Sequence, residues 1–255
     1  MIKLSVVIIT LNEEKNLARC LQSVLSIADE ILVVDSFSTD KTKQIAESFK
    51  ARFIEHPFKG HIEQKNYALQ AATHPYVLSL DADEALSEEL AQSIMQIKNH
   101  FVLEGYSCAR LTNYAGQWIH HCGWYPDIKL RLVQKDKALW SGVNPHDILT
   151  LKNQTQHRHT ILKGDLLHYS YESVASHILQ TNKFTTIAAI EAHRRGVRSG
   201  IFKIITRPIL KFLRDYFFKK GFLDGRYGLI ICTINALSAF LKYTKIDEIE
   251  RGKLP

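Results

Sequence analysis

The chain has 255 residues, 45% hydrophobic and 23% charged, ordinary globular values that exclude a disordered or low-complexity protein and leave room for one well-buried domain plus a remainder too large to be a tail. Its net charge of +7 is unevenly spread: residues 183–255 hold 15 Lys and Arg against 6 Asp and Glu, whereas residues 1–182 hold 18 against 20. A basic surplus confined to an aromatic C-terminal part points away from nucleic acid and toward an anionic membrane surface.

Met1-Ile2-Lys3-Leu4 leads into a short apolar run with Asn12-Glu13-Glu14 behind it, too short and too acidic for a signal peptide. Leu4 to Thr10 is a continuous run dominated by β-branched residues, the pattern of a strand buried on both faces in a parallel sheet. Leu17, Leu21, Val24 and Leu25 follow at helical spacing, and Ile31 to Val34 is a second buried strand ending in Asp35. Ser38-Thr39-Asp40 supplies caps for a helix over 41–49, with a third strand over 52–55, a third helix over 62–72 and a fourth strand over 76–80. This alternation predicts right-handed crossovers and an open parallel sheet with its loops at the strand C-terminal ends. The four cysteines, Cys20, Cys108, Cys122 and Cys232, are too dispersed for a zinc site or a disulfide scaffold and fit a reduced, cytoplasmic setting.

Ligands bind beside strand C-termini in such sheets, and three of those ends carry Thr10 and Asn12, Asp35, and Asp81-Ala82-Asp83-Glu84. Neither G-x-G-x-x-G nor G-x-x-x-x-G-K-S/T follows any strand, so no glycine cradle is available for phosphates. Carboxylates clustered after a buried strand need a cation, and an Asp-x-Asp can hold Mg²⁺ or Mn²⁺ with positions left for a diphosphate and water. Residues 105–147 are rich in aromatic rings, among them Tyr106, Tyr114, Trp118, Trp124, Tyr125 and Trp140, interspersed with His120, His121, Arg131 and His146. Such a stretch suits a carbohydrate pocket or, equally, an aromatic core beneath a loop. Arg131 is a candidate for an anionic acceptor or for a salt bridge.

From Ser199 the pattern is helical: Ile201, Ile205, Ile209, Phe212 and Tyr216 fall on one face and Lys203, Arg207, Lys211 and Arg214 on the other, with Pro208 expected to kink or restart the helix. Gly228 to Leu241 is an apolar segment shorter than the ~20 residues that span a bilayer. The tail therefore reads as lying on a membrane; the alternative is a helical pair packed on the catalytic domain with a solvated basic face, which would cover the apolar stripe.

Ser5-Val-Val-Ile-Ile-Thr-Leu-Asn-Glu-Glu-Lys-Asn-Leu17, Glu30-Ile-Leu-Val-Val-Asp-Ser-Phe-Ser-Thr-Asp-Lys-Thr42 and Leu78-Ser-Leu-Asp-Ala-Asp-Glu84 resemble family 2 glycosyltransferases. Gln64-Lys-Asn-Tyr-Ala-Leu69, Gly123-Trp-Tyr-Pro-Asp127, Leu130-Arg-Leu132, His168-Tyr-Ser-Tyr171 and Gly221-Phe-Leu-Asp-Gly225 resemble, more narrowly, the bacterial lipopolysaccharide core β-glucosyltransferases. The resemblance implies an α/β GT-A fold with a Rossmann-like, mostly parallel sheet over 1–185 and a basic helical extension over 186–255. It implies an inverting, metal-dependent transferase that takes a hexose, glucose foremost, from a nucleotide-diphosphate sugar such as a UDP-hexose. The acceptor would be a lipopolysaccharide core or another lipid-linked molecule at the inner face of the cytoplasmic membrane, with Mg²⁺ or Mn²⁺ as cofactor. By position it implies that Thr10, Asn12, Glu13, Asp35, Lys65 and Asp81 contact the donor, that Asp83 and His168 ligate the metal, and that Glu84 orients its neighbours. Trp124, Tyr125 and Arg131 are the implied acceptor contacts. Ser36 replaces the family's usual second Asp. The subgroup's Val-His-Glu matches Val143-Asn-Pro-His-Asp147, which makes Asp147 the candidate base and Asp127 the second candidate. Two competing functions are an Asp-x-Asp phosphohydrolase, which would carry the pair after its first strand, and a scaffold of the same fold without turnover.

Overall fold

The computed structural model describes residues 1–143, 146–152 and 160–253; Asn144 and Pro145 of the departing motif lie outside the described residues. The chain divides into two compact units, residues 1–111 with 127–169 and residues 112–126 with 170–255. The boundary expected at residue 185 falls instead within a helix spanning Val174–Arg194, and a short segment from the middle of the chain belongs with the C-terminal part.

In the first unit the sequence alternates β1 (Leu4–Thr10), α1 (Leu17–Val24), β2 (Glu30–Asp35), α2 (Thr42–Ser48), β3 (Arg52–Glu55), α3 (His61–Ala71) and β4 (Tyr76–Asp81), as its periodicity predicts. The strands are parallel in the order β3-β2-β1-β4. Alternate residues of β1 serve opposite faces. Leu4, Val6 and Ile8 join Leu17, Leu21 and Val24 of α1 in one core, while Val7 joins Leu69 of α3 and Trp140 in the other. Each fully buried aliphatic side chain contributes roughly 1.5–3 kcal/mol, and continuous β-branched runs are what a strand covered on both sides requires.

Beyond β4 come elements the periodicity did not resolve: β5 (Glu84–Leu86), α4 (Glu88–Asn99), β6 (Gly105–Tyr114), β7 (Gln117–Ile119), β8 (Asp127–Gln134), β9 (Ala138–Val143), β10 (His146–Leu151) and β11 (Thr160–Tyr171). The sheet continues from β4 through β8, β6 and β11 to β5, with β8 antiparallel to β4 and β6, and β11 antiparallel to β5; β9 and β10 form a separate antiparallel hairpin. Ser87 starts α4 by accepting the Leu90 N–H, and Glu88 and Glu89 in the first turn and Lys98 in the last complement the helix dipole.

The second unit holds β7, paired with the end of β6, and α5 (Val174–Arg194), α6 (Ile201–Leu213) and α7 (Gly225–Glu250). Its core is Tyr114, Ile119, Cys122, Ile231 and Cys232, with Trp124, Phe212 and Tyr216 packed against them. Gly228 lets α7 approach the 221–224 turn, since a Cβ there would stand 1.8 Å from the Gly221 carbonyl oxygen. α6 runs unbroken through Pro208. It passes into a π-helical turn, Arg214–Phe218, whose extra residue per turn shifts the phase of the side chains within it. Phe212 and Tyr216, expected on the same face as Ile201, Ile205 and Ile209, pack inward, while those three isoleucines stay exposed beside Phe202, Leu210, Leu213, Phe217 and Phe218. Part of the basic face is engaged by a buried carboxylate: Asp215 pairs with Lys211 at 2.8 Å and Arg214 at 3.0 Å. The apolar segment expected to be too short to span a bilayer is part of a 26-residue helix; with the preceding turn, 221–250 is long and apolar enough to cross a membrane by length and composition.

Candidate active site

The parallel register brings the predicted strand ends together: Thr10 pairs with Asp35, and Ile9, one residue earlier, with Asp81. Asp35 is 1% exposed and is spent on the loops around it. Its Oδ1 accepts from Thr10 Oγ1 at 2.8 Å and Ser38 Oγ at 2.5 Å, and its Oδ2 accepts the Ser38 N–H at 2.7 Å. Asn12 N donates to Ser38 Oγ at 2.7 Å and Asn12 Oδ1 accepts the Thr39 N–H at 2.9 Å, so the β1 and β2 loops are stitched to each other. Ser36, standing where a second carboxylate was expected, accepts from Gln64 Nε2 at 3.1 Å. Glu13 N donates to Thr42 Oγ1 at 2.9 Å, and burial, reinforced by Asp83, Asp40 and Asp81, outweighs the Asn16 hydrogen bond and raises its carboxyl above the usual range.

Asp81 follows a strand whose interior is fully covered, and the cations it needs come from distant segments. Lys65 of α3, 5% exposed, places Nζ 2.8 Å from Asp81 Oδ1 and 2.7 Å from Asp147 Oδ2, over the Trp140 ring at 4.4 Å. Arg131 stands 3.5 Å from Asp81 Oδ2. Burial alone would raise Asp81, but Lys65 and Arg131 overcome it and hold the carboxyl well below the usual carboxylate range. Glu84, 1% exposed, accepts the Asp81 N–H at 3.1 Å and pairs with Arg131 at 2.8 Å and Arg110 at 3.5 Å, which fixes the turn between the two aspartates. Asp83 carries its Oδ2 3.2 Å from His168 Nε2, and its carbonyl accepts the Tyr169 N–H at 2.9 Å. His168 Nδ1 is buried with no hydrogen-bond partner among the described residues.

The structure therefore gathers Thr10, Asn12, Glu13, Asp35, Lys65, Asp81, Asp83, Asp147, Arg131 and His168 in the first unit. Arg131, a predicted acceptor contact, is 4% exposed and turned onto Glu84, the salt-bridge alternative. Asp127 pairs with Arg110 at 2.7 Å and Lys129 at 3.0 Å. Trp124 and Tyr125 belong to the second unit, where Trp124 lies within 6.0 Å of Tyr114, Tyr171 and His177, ring centre to ring centre, and Tyr125 lies edge-on to His120 at 5.6 Å. Three participants were not singled out from sequence: Arg110, which has no local signal, and the pairings of Lys65 with Asp147 and of Arg131 with Glu84, which join residues 82 and 47 apart.

Could the site hold the implied ion? Adjacent ligands of an octahedral ion at ~2.1 Å lie about 3 Å apart, close to the Asp83–His168 separation of 3.2 Å, and an oxygen with an imidazole nitrogen suits Mn²⁺. No set of three or more His, Cys, Asp or Glu able to hold a metal occurs among the described residues, so the remaining positions would fall to diphosphate and water. The residues fit an ion shared with its ligand.

The family model described as glycosyl transferase family 2 matches residues 5–111. An uncharacterized glycosyltransferase of Rickettsia typhi is 31% identical over 97% of this chain and 87% of its own. The lipopolysaccharide core biosynthesis glycosyltransferase LpsC of Rhizobium meliloti is 31% identical over 95% of this chain and 91% of its own. Among solved structures, glucosyl-3-phosphoglycerate synthase from Mycobacterium tuberculosis in complex with Mn²⁺ and UDP-glucose is similar at 22% identity over 44% of each chain, with a TM-score of 0.37.

Proposed function

The chain belongs to glycosyltransferase family 2 and has its GT-A fold, and on that premise we propose that it moves a hexose, glucose foremost, from a UDP-sugar to a lipopolysaccharide-core or other lipid-linked acceptor with inversion. The observation that carries this is Lys65, whose one ammonium joins Asp81, the donor-side carboxylate, to Asp147, the candidate base. The shared lysine bridges the two carboxylates by charge-assisted hydrogen bonds and fixes Asp147 beside the donor side of the site. Asp147 takes the proton of the acceptor hydroxyl as that oxygen attacks the anomeric carbon from the side opposite the departing diphosphate, which inverts the configuration. Asp127 is the second candidate, but two cations already engage it. Asp83 and His168 would hold Mn²⁺ or Mg²⁺, which when bound supplies Lewis-acid stabilisation of the leaving diphosphate. Asp35, Thr10, Asn12 and Glu13 shape the nucleotide end. Similarity to LpsC supports the choice of acceptor.

The setting proposed is the cytoplasmic membrane face, with the protein lying on an anionic surface. Its support is the exposed apolar side of α6 and of the π-helical turn after it, with Phe202 76% and Phe218 83% exposed, in a segment rich in Lys and Arg.

The test is transfer from UDP-glucose to a lipopolysaccharide-core acceptor with Mn²⁺. Asp147→Asn is expected to lose transfer by roughly 10²–10⁴-fold, the usual worth of a general base, while still binding UDP. Near-normal turnover by that variant would remove Asp147 from the role, and no transfer or donor hydrolysis by the unmodified protein with any nucleotide sugar would favour a scaffold.

A further inference from the structure

The loop after β2 carries a phenylalanine where its backbone resists one. Phe37 has φ +61°, the left-handed region that a bulky L-residue adopts only under constraint, and it is 54% exposed, so core packing does not explain it. The constraint is visible on both sides. Ser36 N donates to the Thr10 carbonyl at 2.9 Å and Ser36 Oγ accepts from Gln64, while the Ser38 N–H and hydroxyl are bound by Asp35. Strain that the surroundings enforce in this way concentrates at ligand clamps. On the paired strand end, Leu11 is 50% exposed, so two uncovered apolar side chains follow β1 and β2 while the carboxylate beneath them is enclosed. Asp35 has both oxygens occupied in holding the loop, and the loop presents an aromatic face outward.

We infer that Phe37 is the surface on which the nucleobase of the donor stacks. The inference rests on the nucleotide-sugar reading above. Stacking on an aromatic side chain tolerates any base, so Phe37 rewards the presence of a base and leaves the choice of base to other contacts.

Replacing Phe37 separates binding from folding, because glycine is at ease at this φ. Phe37→Gly is expected to unfold at the same or a higher temperature yet to bind UDP roughly ten-fold more weakly, a loss within the range of one stacked base. Inorganic diphosphate with Mn²⁺, which has no base, is expected to bind the variant and the unmodified protein alike. Phe37→Trp, which keeps a stacking face, is expected to bind UDP at least as well as the unmodified protein. Undiminished UDP affinity in Phe37→Gly, or an equal loss for UDP and diphosphate, would overturn the inference while leaving the donor reading in place. If the unmodified protein bound inorganic diphosphate but no nucleoside diphosphate, the donor reading would fall and take Phe37's role with it.

Discussion

Replacing Arg131 with Met isolates what holds the Asp81–Glu84 turn. The Glu84 side chain has no solvent exposure, and Arg131 at 2.8 Å is its nearest counter-charge. Removing one partner of a buried pair usually costs about 3–5 kcal/mol, because the other charge is left stranded. Arg110 at 3.5 Å relieves part of this, which puts the expectation near the lower bound, about 3 kcal/mol. For a chain of this size that lowers the unfolding midpoint by roughly 6–12 °C in calorimetry. Glu84→Gln in the Arg131→Met background removes the stranded charge, so the double variant is expected to be more stable than Arg131→Met alone, with a coupling of about 1–3 kcal/mol in urea titrations. A single-variant loss below about 1 kcal/mol, or strictly additive effects, would refute the assignment of the cost to Glu84.

Burial against Tyr114 lowers His177 to about 4, below the ordinary histidine value of about 6.5. The unfolded chain then binds the proton more readily, so this residue's contribution is present above about pH 6.5 and is lost as pH falls toward 4, by up to roughly 3 kcal/mol. His177→Gln is expected to flatten the stability profile between these limits, and an unchanged slope would show that other groups set it. The exposed side of α6 and of the π-helical turn after it predicts co-sedimentation with anionic vesicles that weakens as salt rises, and Phe202→Ser with Phe218→Ser is expected to weaken it at every salt concentration. Equal binding to neutral vesicles would count against the electrostatic part.

The parallel half of the sheet was legible because a strand covered on both faces leaves a near-continuous apolar run, and its carboxylates end those runs at Asp35 and Asp81. The antiparallel half was not, because the strand around Arg110 lacks a regular apolar–polar alternation and both strands blend into an aromatic-rich stretch. Lys65 was readable as a cation near the donor, yet its second partner lies across the β9–β10 hairpin, and pattern alone does not say which distant carboxylate a lysine meets. For α6 the five-residue apolar face was read at a constant ~100° per residue. The π-helical turn breaks that phase, and Tyr216 ends up packed where an exposed residue was expected.

Because 112–126 belongs with 170–255, the order of synthesis differs from the order of assembly. Cys122 emerges 106 residues ahead of Gly228, whose carbonyl it meets. At about 5–20 residues per second that is a wait on the order of 5–20 s, during which the thiol and the rings of Tyr114 and Trp124 lack their enclosure. A nascent chain in that state needs shielding from oxidation and from other apolar chains. For the same reason, ending a recombinant fragment at Leu111, where the family match stops, would strip the first unit of β8, β9, β10 and β11 and remove the second unit altogether.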